Sequence, residues 1–179
     1  MLKIIVPEAE LFDQTNSEFI TIKQQTLMLE HSLVSISKWE SKWKIPYLYN
    51  DKKTREQTLD YIKCMTITQN VNPLVYRGFT SEAYEKIANY MNDPMTASKI
   101  PEQKKPGIIP TVTSETIYYW MIMFNIPMEC EKWHINRLLA LIKYCEWKQQ
   151  DPGKLSKDEL FARNRALNAE RKAKYKTRG

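Results

Sequence analysis

Glycine is scarce in this 179-residue chain. Four residues, Gly78, Gly107, Gly153 and Gly179, are too few for glycine-rich phosphate loops and few for an all-β fold of many tight turns. Cysteine is equally sparse. Cys64, Cys130 and Cys145 are odd in number and unpatterned, which fits reduced thiols better than a disulfide framework. No apolar run approaches the ~18–20 residues of a membrane span. The start, MLKIIVPEAEL, is too short and too quickly acidic for a signal peptide. No P-loop, dinucleotide fingerprint, HExxH or GxSxG occurs, so the commonest nucleotide-binding, zinc-protease and serine-hydrolase sites are not spelled out. These absences imply a soluble intracellular protein that is not an enzyme of a familiar class.

Apolar residues, by contrast, are plentiful at 42%, with 11% aromatic, enough for one well-cored domain. LKIIV (2–6) is β-branched and stops at Pro7, while EFITIKQQTLMLEH (18–31) alternates with a period of two. With turn chemistry in the intervening PEAELFDQTNS, a β-hairpin over 1–31 is the economical reading, laid against the helices that follow.

From Ser32 the period changes. Leu33, Ile36, Trp39, Glu40 and Trp43 predict an amphipathic helix ending before Pro46. Thr54 with Gln57 is a capping-box signature opening a second, with Leu59, Ile62, Met65 and Thr66 on one face and NVNP (70–73) stopping it. Thr80 caps a third, whose face is Tyr84, Ile87, Ala88 and Met91. NDPMTASKIPEQKKPGIIP (92–110) reads as a long loop. SETIYYWMIMFNIP (114–127) is apolar nearly all round and predicts a buried central helix. MECEKWHINRLLALIKYCEWK (128–148) reads as one helix of about twenty residues facing the core with Trp133, Ile135, Leu138, Leu139 and Ile142. The fold class is therefore mainly α: a helical body over 1–150 with an N-terminal antiparallel hairpin, then a linker and a hinged basic helix over 151–179. QQDPGK (149–154) supplies the hinge, and Ser156 with Glu159 caps the last helix, whose apolar stripe is thin.

Charge is distributed unevenly. From Lys154 onward nine Lys or Arg face three acids, so this stretch carries +6, the formal charge of the whole chain, and the first 153 residues are neutral. No nucleic-acid motif accompanies these cations, and the apolar face lacks the anchors of a membrane helix. An acidic or helical protein partner remains the better match, met by an arm over 154–179 through Arg163, Arg165, Arg171 and Lys172. Trp39 and Trp43, four apart on one helix face, are core residues or the wall of a partner groove. The same two readings hold for Tyr118, Tyr119, Trp120 and Phe124, with Met121, Met123 and Met128 as adaptable neighbours. Cys130 and His134 would share a helix face, with Cys145 three turns on. The spacing matches no structural zinc pattern and no oxyanion loop is near, so core packing outweighs a thiolate–imidazole pair or a metal site filled out by His31 or Cys64. No catalytic, cofactor or metal residues are assigned.

The phrases HSLVSISKWESKWKIPYL, LDYIKCMTITQNVNP, NDPMTA, IYYWMIMFNIPMECEKWHINRLLALIK and RNRALNAERKAKYKTRG, spread over 31–179, resemble bacteriophage tail-module proteins treated as tail assembly chaperones. The resemblance implies a small, largely helical, non-enzymatic protein. It would keep the long helical tape measure protein soluble in the host cytoplasm while the tail tube polymerises around it. It would be absent from the mature virion and free to self-associate. Many such chaperones also have a longer frameshifted form whose extension recruits the major tail protein. Three alternatives stand beside it: a virion structural or connector protein of the tail, an enzyme with an unrecognised site, and a nucleic-acid-binding regulator using the basic helix.

Overall fold

A computed structural model describes residues 1–13, 18–49, 52–98, 111–149, 161–162 and 164–168, apart from the side chains of Leu11, Asp13 and Glu18. By its internal contacts the chain divides into two units, Met1–Lys143 and Tyr144–Gly179. The fold is mainly helical with an antiparallel hairpin at its N-terminus.

The hairpin is longer than the sequence suggests. β1 (Leu2–Val6) pairs with β4 (Gln25–Leu29), and β2 (Ala9–Asp13) pairs with β3 (Glu18–Ile22). Much of the segment expected to turn, PEAELFD, is therefore strand. The register runs unbroken across the gap: Val6 faces Gln25 on one side, and Ala9 faces Ile22 three residues further along each strand. Pro7 has no N–H to give to a ladder, which accounts for the interruption. The gap also changes which positions face inward. Ile4 and Val6 are buried with Leu27 and Leu29, but beyond it the buried residue among those described is Ile22, whose partner Ala9 is odd-numbered. An unbroken pleat alternates faces strictly, so the ribbon must rotate at Pro7–Glu8 to present the opposite parity. Gly78 sits at this crossing. A Cβ there would lie 3.2 Å from Val6 Cγ1, a tight contact that a larger residue keeps only if the valine shifts by a few tenths of an ångström.

α1 (Leu33–Trp43) starts at Ser32, whose hydroxyl accepts from Ser35 N–H, and ends where Lys44 turns left-handed (φ 56°) and its N–H returns to the Glu40 carbonyl. α2 (Arg55–Met65) carries the predicted capping box in both directions: Gln57 N–H to Thr54 Oγ1 and Thr54 N–H to Gln57 Oε1. Its buried face is Gln57, Tyr61, Ile62 and Met65, so Leu59 is displaced to the margin. A 3-10 turn over Pro73–Gly78 leads to α3 (Ser81–Asn92), capped by Thr80 as expected. The stripe of α3 is rotated from prediction: Ala83, Ile87 and Tyr90 are buried and Ala88 is exposed. Tyr90 fixes that rotation, because its hydroxyl donates to Glu30 Oε1 at the end of the hairpin. The region after α3 is irregular through residue 98, and 99–110 lies outside the described residues.

α4 (Ser114–Met123) and α5 (Ile135–Gln149) follow. The expected helix over 128–148 is shorter at its start. Residues Met128–Lys132 form a 3-10 turn, and Trp133 is extended. Tertiary bonds override the helical spacing here: Ser32 bridges His134, and Ile135 N–H donates to the His31 carbonyl at 2.7 Å. The core of the first unit gathers Leu27, Leu29, Leu33, Ile36 and Trp39 with Tyr61, Met65, Ile117, Met121 and Leu138, all essentially inaccessible. Among the described residues no helix is long and apolar enough to cross a membrane.

Candidate partner-binding surface

α4 begins with a reciprocal cap between Thr113 and Thr116. A buried carboxylate supports the same end. Glu40 Oε2 accepts from Ser114 N–H at 2.8 Å, and its Oε1 accepts from Tyr47 N–H at 2.7 Å. An acid beside the positive end of a helix is favourable, and here it also ties α1 to α4. The helix ends in a Schellman motif. Asn125 is left-handed (φ 52°), its N–H bonds the Ile122 carbonyl, and Ile126 N–H bonds the Met121 carbonyl. Ile126 and Met121 are both buried, supplying the hydrophobic contact that accompanies this stop.

Between these ends the buried stripe of α4 is Ser114, Ile117 and Met121, and α1 packs against this helix. The prediction of a helix buried all round is therefore corrected. Tyr119 is 57% exposed, Ile122 67% and Met123 55%, and their spacing of three and four puts them on one outer face. Met128, 48% exposed, opens the 3-10 turn that follows. The Tyr118 hydroxyl fastens that turn to α4 by donating to Glu131 Oε2 at 2.9 Å, and burial, then the Glu131 carboxylate, push it up to about 12. Two of the three methionines marked as adaptable thus lie on the surface, while Met121 is core. The missed residue is Ile122. Its signal in the sequence was the run of ten nearly all-apolar positions, more than one helix–helix contact covers.

The other predicted contacts fare differently. Trp39 is wholly buried, its indole N–H donating to the Gln57 carbonyl at 3.0 Å and its ring set edge-on to Tyr47, so it has no surface to offer a partner. Trp43 stacks on Trp39 with ring centroids 6.1 Å apart and donates to Asp60 Oδ2 at 2.9 Å, leaving it half-buried. Burial alone would raise the Asp60 carboxyl, but the bonds from Lys42 and Trp43 outweigh it and hold the group below its usual value. Arg165 is exposed on a helical stretch. Arg163, Arg171 and Lys172 lie outside the described residues, as does the Ser156–Glu159 cap.

Nor do the thiols and imidazoles assemble a reactive pair. Cys130 is buried in the 3-10 turn, not on a helix with His134. His134 uses both ring nitrogens elsewhere: Nε2–H donates to the Tyr90 carbonyl at 3.0 Å and Nδ1 accepts from Asn136 N–H at 3.3 Å. Its ring packs edge-on against His31, centroids 5.1 Å apart, and His31 Nδ1 shares a hydrogen bond with the Tyr61 hydroxyl. Cys145 is half-buried on α5. Cys64 borders an open cleft of about 360 Å³ walled by Glu30, Ser35, Lys38 and Glu131, but burial, then Asp60, raise its thiol and keep it a poor nucleophile. Among the described residues no group of three or more His, Cys, Asp or Glu is placed to hold a metal ion. What the described surface offers is an apolar, methionine-bearing helix face. No protein-family model matches the chain, and neither a curated protein nor a solved structure is significantly similar to it.

Proposed function

We propose that this protein is a non-enzymatic assembly chaperone of a phage tail, holding the helical tape measure protein in the host cytoplasm until the tube forms around it. The supporting observation is the outer face of α4. Tyr119, Ile122 and Met123, followed by Met128, expose apolar surface on a helix whose other stripe is already buried. A long helical client presents apolar ridges at the same three-four spacing, and flexible methionines adapt to successive ridges that differ in detail. The sequence-level resemblance supplies the identity of the client, and the basic segment near the C-terminus adds charge steering toward it.

The test is co-expression with tape measure fragments. Replacing Tyr119, Ile122 and Met123 together by Ser removes side chains that contribute little to the core, so the melting temperature should barely change while capture is lost. Equal capture by the triple variant would refute this use of the α4 face. Detection of the protein in purified virions would replace the chaperone role with that of a tail component.

A further inference from the structure

We propose that the outer half of the hairpin docks the basic C-terminal segment of a second copy of this chain. The hairpin side of the match is acidic and aromatic. Residues 7–22 contain Glu8, Glu10, Asp13 and Glu18 and no Lys or Arg, a local charge of −4. Within it β2 and β3 form a two-stranded ribbon, and among the described residues no further strand pairs with either edge. Phe12 and Phe19 stand directly opposite each other, ring centroids 5.2 Å apart, yet are 52% and 72% exposed. Glu10 and Thr21, two residues away on each strand, share their face. An exposed aromatic pair beside carboxylates is suited to Lys and Arg, which bind ring faces and acids together.

The complement is in the same sequence. Residues 169–179 carry Arg171, Lys172, Lys174, Lys176 and Arg178 against Glu170, a local charge of +4. Lys172, Lys174, Lys176 and Arg178 recur every second residue. Laid extended along the free edge of the ribbon, that spacing would turn all four cations to one side, beside Glu10 and the phenyl rings. Every copy carries one site and one complement, so a partner is always present at equal concentration. The contact is heterologous: two copies can close it reciprocally, and longer chains form if they do not.

Sedimentation velocity of the full chain tests this at about 0.05 M and about 0.5 M salt, since screening over a few ångströms abolishes exposed ion pairing at the higher value. Association should grow with protein concentration at low salt and disappear at high salt. K172E/K174E/K176E should be monomeric, as should E8K/E10K, and mixing these two full-length variants should restore association. F12S/F19S should weaken it about tenfold. If the hairpin variants misfold, the tail variant alone decides, because it changes no residue of the ribbon. A wild-type protein monomeric at about 200 µM in low salt would overturn the proposal. So would association that survives reversal of the tail charges, or a contact independent of concentration.

Discussion

Acidification between pH 7 and pH 5 should destabilise the fold through His31 and His134. Both imidazoles are about 95% buried, at 4% and 5% exposure, and they touch each other. Burial first, then His134 and Lys53, lower His31 from 6.5 to about 3. Burial likewise lowers His134, outweighing the Tyr90 carbonyl and the Glu30 and Asp93 carboxylates. With folded values depressed, the unfolded chain binds more protons below its own value of 6.5, so stability is full above that pH and falls as pH drops. For His31 alone the loss is ~0.8 kcal/mol at pH 6 and ~2 kcal/mol at pH 5, and His134 adds to it in the same direction. The depressed carboxyls Asp60 and Glu115 start from 3.8 and 4.5, so their losses fall mostly below this window. Urea denaturation at half-unit pH steps measures the slope, and two-dimensional NMR follows each ring. His31→Gln should flatten the profile even if it lowers stability at pH 7. A His31 resonance titrating near 6.5 in the folded protein, or a flat profile for the wild type, would refute the burial argument.

Two further outcomes follow from the ends of α4. Glu40→Ala leaves the Tyr47 and Ser114 N–H groups without their acceptor in a buried setting. At ~1–3 kcal/mol per orphaned donor, chemical denaturation should show a loss of ~2–5 kcal/mol, and a loss under ~1 would show that water reaches the site. Asn125→Gly should be neutral or slightly stabilising while Asn125→Val costs ~1–2 kcal/mol, because φ 52° is open to glycine and strained for a β-branched residue. Equal thermal melts for the two variants would contradict the Schellman stop.

What could be read from the residues was mostly local chemistry. Thr54 and Gln57 bond within three residues of each other, so their cap was legible, as were Thr80 and the stop of α1 before Pro46. Long-range terms were not. Glu40 looked like one polar position on a helix face, because its partners lie 7 and 74 residues away. Helical spacing continues through Met128–Trp133, but the bonds from residues 31–32 to His134 and Ile135 pull that stretch out of the helix. Composition made α4 look central. Only the packing around α4 decides which of its apolar positions are covered, so Trp39 took the core reading of its two while Ile122, expected inside, lies outside. The hairpin erred the other way, since Pro7 suggested an end where the chain only skips a rung.

That skipped rung separates two mechanical units in one ribbon. The half next to the body is anchored by Ile4, Val6, Leu27 and Leu29, whereas among the described side chains of the distal half Ile22 is the buried anchor. Amides of the proximal half should exchange with solvent only when the whole fold opens, and those of the distal half through a smaller, cheaper fluctuation. The distal strands are then free to drift in sequence, to accept insertions at their tip, or to be grafted from another protein, without renegotiating the core. A lineage could change what this molecule touches there while leaving unaltered how it folds.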